Sequence, residues 1–132
     1  MYPCANLHKV LAKNMSLNMI NDDVRRVYIS GGITDVPDFE EKFQKAEDEL
    51  RAAGYAVINP ARMYMILKPE DTTYEEYMTV DLLLLGMCGA IYQLKGWEES
   101  KGAQIEYEHA VKRGLYISKE GDETSLVCRR HL

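Results

Sequence analysis

Residues 27 to 60 read VYISGGITDVPDFEEKFQKAEDELRAAGYAVINP, and this stretch decides the fold. Val27-Tyr28-Ile29-Ser30 is a short apolar run of strand type that ends directly in Gly31-Gly32, where the chain turns tightly. Phe39, Phe43, Ala46, Leu50 and Ala53 then recur at offsets of 4, 3, 4 and 3, the signature of one helix face, with Glu40, Glu41, Lys42, Lys45 and Glu49 on the others. Pro37 near the start and Gly54 just past the end fit the asymmetry of helix termini. Tyr55 to Ile58 reads as a second buried strand, stopped by Asn59-Pro60 because proline cannot donate to a ladder. The unit is strand, helix, strand.

Toward the C-terminus the pattern repeats in kind. Met63 to Leu67 reads as either a short helical turn or a loop, and Lys68 to Asp71 as a loop. Thr73-Tyr74-Glu75-Glu76 fits a capping box and predicts a helix from about Tyr74 to Leu85. Gly86 and Gly89 bracket the exit into a third strand, Ala90 to Leu94. Ser100 can cap a helix running to about Arg113, and Gly114 ends it before a fourth strand, Leu115 to Ser118, with a short edge strand around Leu126 as a further expectation. Residues 1 to 23 carry only a weak helical pattern and read as an appendage to a single domain over residues 24 to 132. Apolar strands alternating with helices predict an α/β fold: a parallel sheet of four or five strands covered by helices on both faces.

Composition narrows the function classes. The 132 residues, 46% hydrophobic and 28% charged, suit one globular domain. A formal net charge of -5 gives no basic surface for a nucleic-acid polymer, while small anions remain compatible through backbone amides. The longest apolar stretches, such as Leu82 to Leu85, are far below the roughly 18 residues of a membrane span, and Lys9 and Lys13 interrupt any signal-peptide core, so a cytoplasmic protein without membrane contact is expected. Cys4, Cys88 and Cys128 show neither disulfide nor zinc spacing, and no metal or cofactor is expected.

In open parallel sheets the ligand crevice lies beyond the carboxyl ends of the strands, which directs attention to residues 30–35, 59–62 and 95–106. Ser100-Lys101-Gly102-Ala103 opens a helix whose first N–H groups and Ser100 hydroxyl face that crevice, and the small Gly102 and Ala103 let an anion such as phosphate approach. Glu106 lies one turn further on the same face and leans toward the helix N-terminus. The axial separation of Ser100 and Glu106 is roughly 9 Å, enough for a pentose 5-phosphate to bridge from phosphate to anomeric carbon. The plain alternative is an ordinary N-cap followed by a solvated glutamate. Gly31-Gly32 lacks the full dinucleotide fingerprint and the Walker lysine. Tyr28 points either to the crevice or into the core. Asp81 sits on or beside the apolar face of its helix, where a carboxylate is costly unless paired or used. Trp97, Tyr92 and Tyr107 either stack on a base or pack structurally.

Taken in order, Tyr28-Ile29-Ser30-Gly31-Gly32-Ile33, Asn59-Pro60, Asp81-Leu82 and Ser100-Lys101-Gly102-Ala103 with Glu106 resemble the nucleoside 2-deoxyribosyltransferase superfamily over about residues 27 to 118. The likeness is nearest to a bacterial and phage branch of it and shares features with the 2-deoxynucleoside 5-phosphate N-hydrolases. The resemblance implies a flavodoxin-like sheet and cleavage of an N-glycosidic bond through a covalent glycosyl-enzyme. Glu106 matches the nucleophile, Tyr28 the phenol that positions it and Asp81 the acid that assists the departing base. Ser100 stands where the N-hydrolases have a phosphate-binding serine, which favours a nucleotide over a nucleoside. Ser30, Gly31, Gly32, Ile33, Asn59, Trp97, Gly102 and Ala103 are the remaining substrate-binding candidates. A homo-oligomer, a dimer by preference, is also implied by the resemblance. First principles agree, since a retaining displacement needs a carboxylate nucleophile and a proton donor to the leaving group.

The leading expectation is therefore a nucleotide N-glycosidase acting on a nucleoside 5-monophosphate, with water as acceptor. A nucleoside 2-deoxyribosyltransferase differs in using a second base. A non-catalytic nucleotide sensor would bind in the same crevice without turnover, and an interaction domain would show no nucleotide-induced stabilisation at all.

Overall fold

The computed structural model describes residues 24–127. Strand β1 (Arg26–Ser30) leads through a loop to helix α1 (Phe39–Ala52) and strand β2 (Ala56–Ile58). A 3-10 helix over Pro60–Met65 and a 3-10 turn over Pro69–Asp71 precede helix α2 (Tyr74–Leu85). Strand β3 (Ala90–Gln93), a 3-10 turn over Trp97–Glu99, helix α3 (Lys101–Lys112) and strand β4 (Tyr116–Lys119) complete the order. The four strands form one parallel sheet in the order β2-β1-β3-β4, so the fold is the α/β, flavodoxin-like sandwich that the sequence predicts.

Strand alternation divides the core into two layers. Val27 and Ile29 of β1, with Ala90 and Tyr92 of β3, pack against Phe43, Ala46 and Leu50 of α1 on one face. Tyr28 and Ile91 turn to the other face, against Leu85 at the end of α2, Cys88 and Ala110 of α3. Because both faces are covered, β1 and β3 are buried along nearly their whole lengths. After β1 the chain goes to β2 on one side, then to β3 and β4 on the other, which places the switch point between β1 and β3. Ligands bind at such a point in open α/β sheets.

Local chemistry sets the element ends. The Glu76 amide donates to Thr73 Oγ1 at 3.1 Å and the Thr73 amide to Glu76 Oε1 at 2.9 Å, the capping box that starts α2. Ser100 caps α3 by accepting from the Ala103 amide at 3.1 Å. The Asn59 side chain accepts from the Ala61 amide and so caps the 3-10 helix that fills the ambiguous region before α2. The expected edge strand around Leu126 does not form: Leu126 is buried, but its amide donates to the Ser118 hydroxyl at 2.9 Å rather than to a backbone ladder. Side-chain and carbonyl bonds of Thr124, to the Lys119 amide and the Tyr116 phenol, hold the tail in that turn. The N-terminal appendage expected over residues 1 to 23 lies outside the described residues. Among those described, no helix is long and apolar enough to cross a membrane.

Candidate active site

A cavity of about 630 Å³ opens at the carboxyl ends of β1 and β3, within the usual range for small-molecule sites. Its floor is Glu106, on the second turn of α3. Glu106 is 5% exposed and both of its carboxyl oxygens are held: the Tyr28 phenol donates to Oε2 at 2.7 Å and the Ser30 hydroxyl to Oε1 at 2.6 Å. Both donors come from β1, where residues two apart share a face. Tyr28 is fully buried, so its phenol is in the core and at the base of the site at once, directed at Glu106.

Burial pushes the Glu106 carboxyl up to about 8; the Ser30 and Tyr28 hydrogen bonds pull the other way, and the Asp81 charge adds to the rise. Asp81, from α2, lines the same cavity and is raised to about 7 by burial. It has no hydrogen-bond or ion-pair partner among the described residues. The structural pairing that would make it an ordinary buried carboxyl is therefore missing there. Burial, then the charges of Glu106 and Asp81, hold the Tyr28 phenol well above its ordinary value, so it remains a donor. Two acids facing one cavity with midpoints near neutrality can divide the roles of nucleophile and proton donor.

Gly31, Gly32 and Ile33 form the wall after β1, and Ser100, Gly102 and Ala103 form the wall at the start of α3. Gly31 lets the chain pass close to Leu94: a Cβ there would lie 3.0 Å from Leu94 Cβ, so a side chain would have to push Leu94 aside. Gly96, at φ 88°, turns the chain after β3, and the Lys95 amide is anchored on the Glu120 carboxylate at 2.9 Å. Ser100 Oγ accepts from the Ala103 amide, which leaves its hydroxyl hydrogen to be donated to a ligand. Lys42, Lys95 and Lys101 also reach the cavity lining.

Three expected binding residues lie outside the cavity lining: Ser30, fully buried with its hydroxyl spent on Glu106, and Asn59 and Trp97. The Asn59 amide donates to the buried Glu47 carboxylate at 3.1 Å, which also binds Arg51 and Arg62; Asn59 is a tether for the 3-10 helix and does not line the cavity. Trp97 packs on Tyr107, ring centroids 5.0 Å apart, and is likewise outside the lining. Tyr92 is buried on the α1 side of the sheet. The aromatic wall instead comes from Tyr64, Tyr74 and Tyr77, none of which the sequence singled out. Tyr64 and Tyr77 meet edge to face at 4.7 Å, Phe39 backs Tyr64 at 5.7 Å, and the Tyr77 phenol is fixed on the Leu67 carbonyl at 2.6 Å. The available signal was the run Tyr74, Tyr77, Met78, Asp81 on one face of α2.

Among the described residues no cluster of His, Cys, Asp and Glu has the makings of a metal site. Cys88 is buried, and its thiol donates to the Leu84 carbonyl.

No curated protein matches the chain. A family model described as a domain of unknown function, DUF4406, matches residues 25–119, which span every strand and helix described above, and the chain belongs to that family.

Proposed function

We propose that the protein cleaves the N-glycosidic bond of a nucleoside 5-monophosphate, preferentially a 2-deoxy one, with Glu106 as nucleophile. One observation carries the reading: a buried carboxyl at a cavity floor, both oxygens oriented by hydroxyls, with a second, unpartnered carboxyl in the same cavity. Glu106 attacks the anomeric carbon, the C–N bond breaks with its electron pair going to the base, and protonated Asp81 supplies the proton that lets the base leave. Ionised Asp81 then takes a proton from water, whose oxygen displaces Glu106 and frees the sugar phosphate. A second base as acceptor would make the same site a deoxyribosyltransferase.

The walls support the substrate class. Tyr64 and Tyr77 offer aromatic surface to a planar leaving group. The first amides of α3 with the Ser100 hydroxyl, one turn and more from Glu106, offer donors to a phosphate. No cofactor or metal enters this scheme. A cytoplasmic homodimer completes the reading, and light scattering tests the oligomeric state.

Purified protein and Glu106→Ala are incubated with ribo- and deoxyribonucleosides and their 5-monophosphates, and free base is quantified by chromatography. Release from monophosphates that depends on Glu106 is expected. Nucleotide binding without release would replace the enzyme by a sensor, and equal release by the variant would remove Glu106 from the chemistry.

A further inference from the structure

Gln93 closes β3 and is 1% exposed, yet among the described residues neither its amide oxygen nor its amide nitrogen has a hydrogen-bond partner. A buried amide left in this way carries its full desolvation cost, which an apolar side chain of the same size would not. Packing alone does not explain a glutamine here.

The ladder register fixes where that amide starts. Gln93 pairs with Ser30 across the β1–β3 ladder, adjacent strands lie about 4.8 Å apart, and paired residues project from one face. Ser30 sends its hydroxyl to Glu106, so Gln93 projects to the Glu106 face, immediately beside Ser30. It does not line the cavity and so does not itself meet a ligand there.

We propose that Gln93 is a positioning residue that acts through Ser30: its amide oxygen is the alternative acceptor for the Ser30 hydroxyl when Glu106 Oε1 bonds to carbon. The inference rests on the reading of Glu106 as nucleophile. In the resting site Tyr28 holds Oε2 and Ser30 holds Oε1. When Oε1 attacks the anomeric carbon it becomes an ester oxygen, a poor acceptor, while Oε2 becomes the ester carbonyl and keeps the Tyr28 bond. The Ser30 hydrogen then turns to Gln93; no proton is transferred and no co-reactant is needed. On hydrolysis Oε1 regains its charge and recaptures Ser30.

The test is a double-mutant cycle of Gln93→Leu and Ser30→Ala. With Gln93→Leu, kcat is expected to fall about tenfold, the worth of a stranded buried hydroxyl, with KM within about twofold and an unchanged or higher Tm. In the Ser30→Ala background the same change is expected to have no further effect. A second readout does not need turnover: carbon-13 titration of the Glu106 carboxyl. Its surroundings, Tyr28 from β1, Asp81 from α2, Tyr64 and Tyr74, are the same in every variant. Because the Ser30 bond favours the ionised carboxylate, losing the competing acceptor moves the Glu106 midpoint below its wild-type position, and Ser30→Ala abolishes that difference. A higher Tm with unchanged kcat and unchanged titration, or equal effects in both backgrounds, overturns the proposal. Failure of the glycosidase reading itself shows separately, as a wild-type protein that releases no base.

Discussion

Replacing Glu106 by glutamine is expected to stabilise the protein at high pH while abolishing its chemistry. The folded state keeps the Glu106 proton up to about 8, whereas an ordinary glutamate gives it up near 4.5. Between those values the native state binds more protons than the unfolded chain, so stability is fully present below about 4.5 and is lost as pH rises through about 8. At ~1.4 kcal/mol per pH unit the loss is on the order of 5 kcal/mol, and Asp81, moved from 3.8 to about 7, adds to it with the same sign. Glutamine carries no charge to desolvate. Its carbonyl still accepts one hydroxyl, while its NH2 faces the other hydroxyl's oxygen, a weaker arrangement by ~1 to 2 kcal/mol. The net expectation is a gain of about 3 kcal/mol at pH 9 and no gain, or a loss of up to ~1 kcal/mol, at pH 5, read from urea unfolding followed by circular dichroism. A difference between variant and wild type that does not change from pH 5 to pH 9, or a variant less stable at pH 9, would refute the argument that burial of this carboxyl dominates its energetics.

Three further outcomes follow from the geometry. The rate of base release should be bell-shaped in pH with its maximum between about 7 and about 8, because the productive state holds one proton on the Asp81–Glu106 pair; a profile flat from pH 6 to 9 would contradict it. Tyr28→Phe removes a buried donor to a carboxylate and should cost ~1.5 to 3 kcal/mol in urea unfolding at high pH, less at low pH, with Glu106 titrating higher in carbon-13 spectra. Asn59→Ala should lower stability by ~1 to 2 kcal/mol through the lost cap and the loosened Glu47 network, yet leave nucleotide KM unchanged, since Asn59 is outside the cavity; a KM raised tenfold at unchanged stability would restore it as a binding residue.

The features that could be read from the sequence are those whose partners are close along the chain. The Thr73–Glu76 capping box, the Ser100 cap and the four main strand runs are decided within a few residues, and they form to within a residue of expectation, whereas the edge strand around Leu126 does not. Glu106 could be nominated because it shares a helix face with Gly102 and Ala103 and leans toward the crevice, and Asp81 because a carboxyl beside an apolar helix face is costly. What decides their environment is distant: Tyr28 and Ser30 reach Glu106 across 78 and 76 positions. Asn59 and Trp97 lie outside the cavity lining for the same reason. Asn59 is taken by Glu47, twelve residues away on α1, and Trp97 by Tyr107 on the next helix. Tyr64 was hidden inside a segment whose periodicity is too short to read, a 3-10 helix of six residues. Gln93 is polar at the end of an apolar strand, and what sets it apart, two buried amide atoms without partners among the described residues, depends on the packing of distant segments.

The central claim, that Glu106 bonds to the sugar, is tested most directly by rapid quenching of the protein with a deoxynucleoside 5-monophosphate, followed by mass spectrometry of its peptides. The account predicts the added mass of a deoxyribose phosphate on the peptide containing Glu106, present in the wild type and absent from Glu106→Gln. Base release with no adduct and an inverted anomeric product would contradict it.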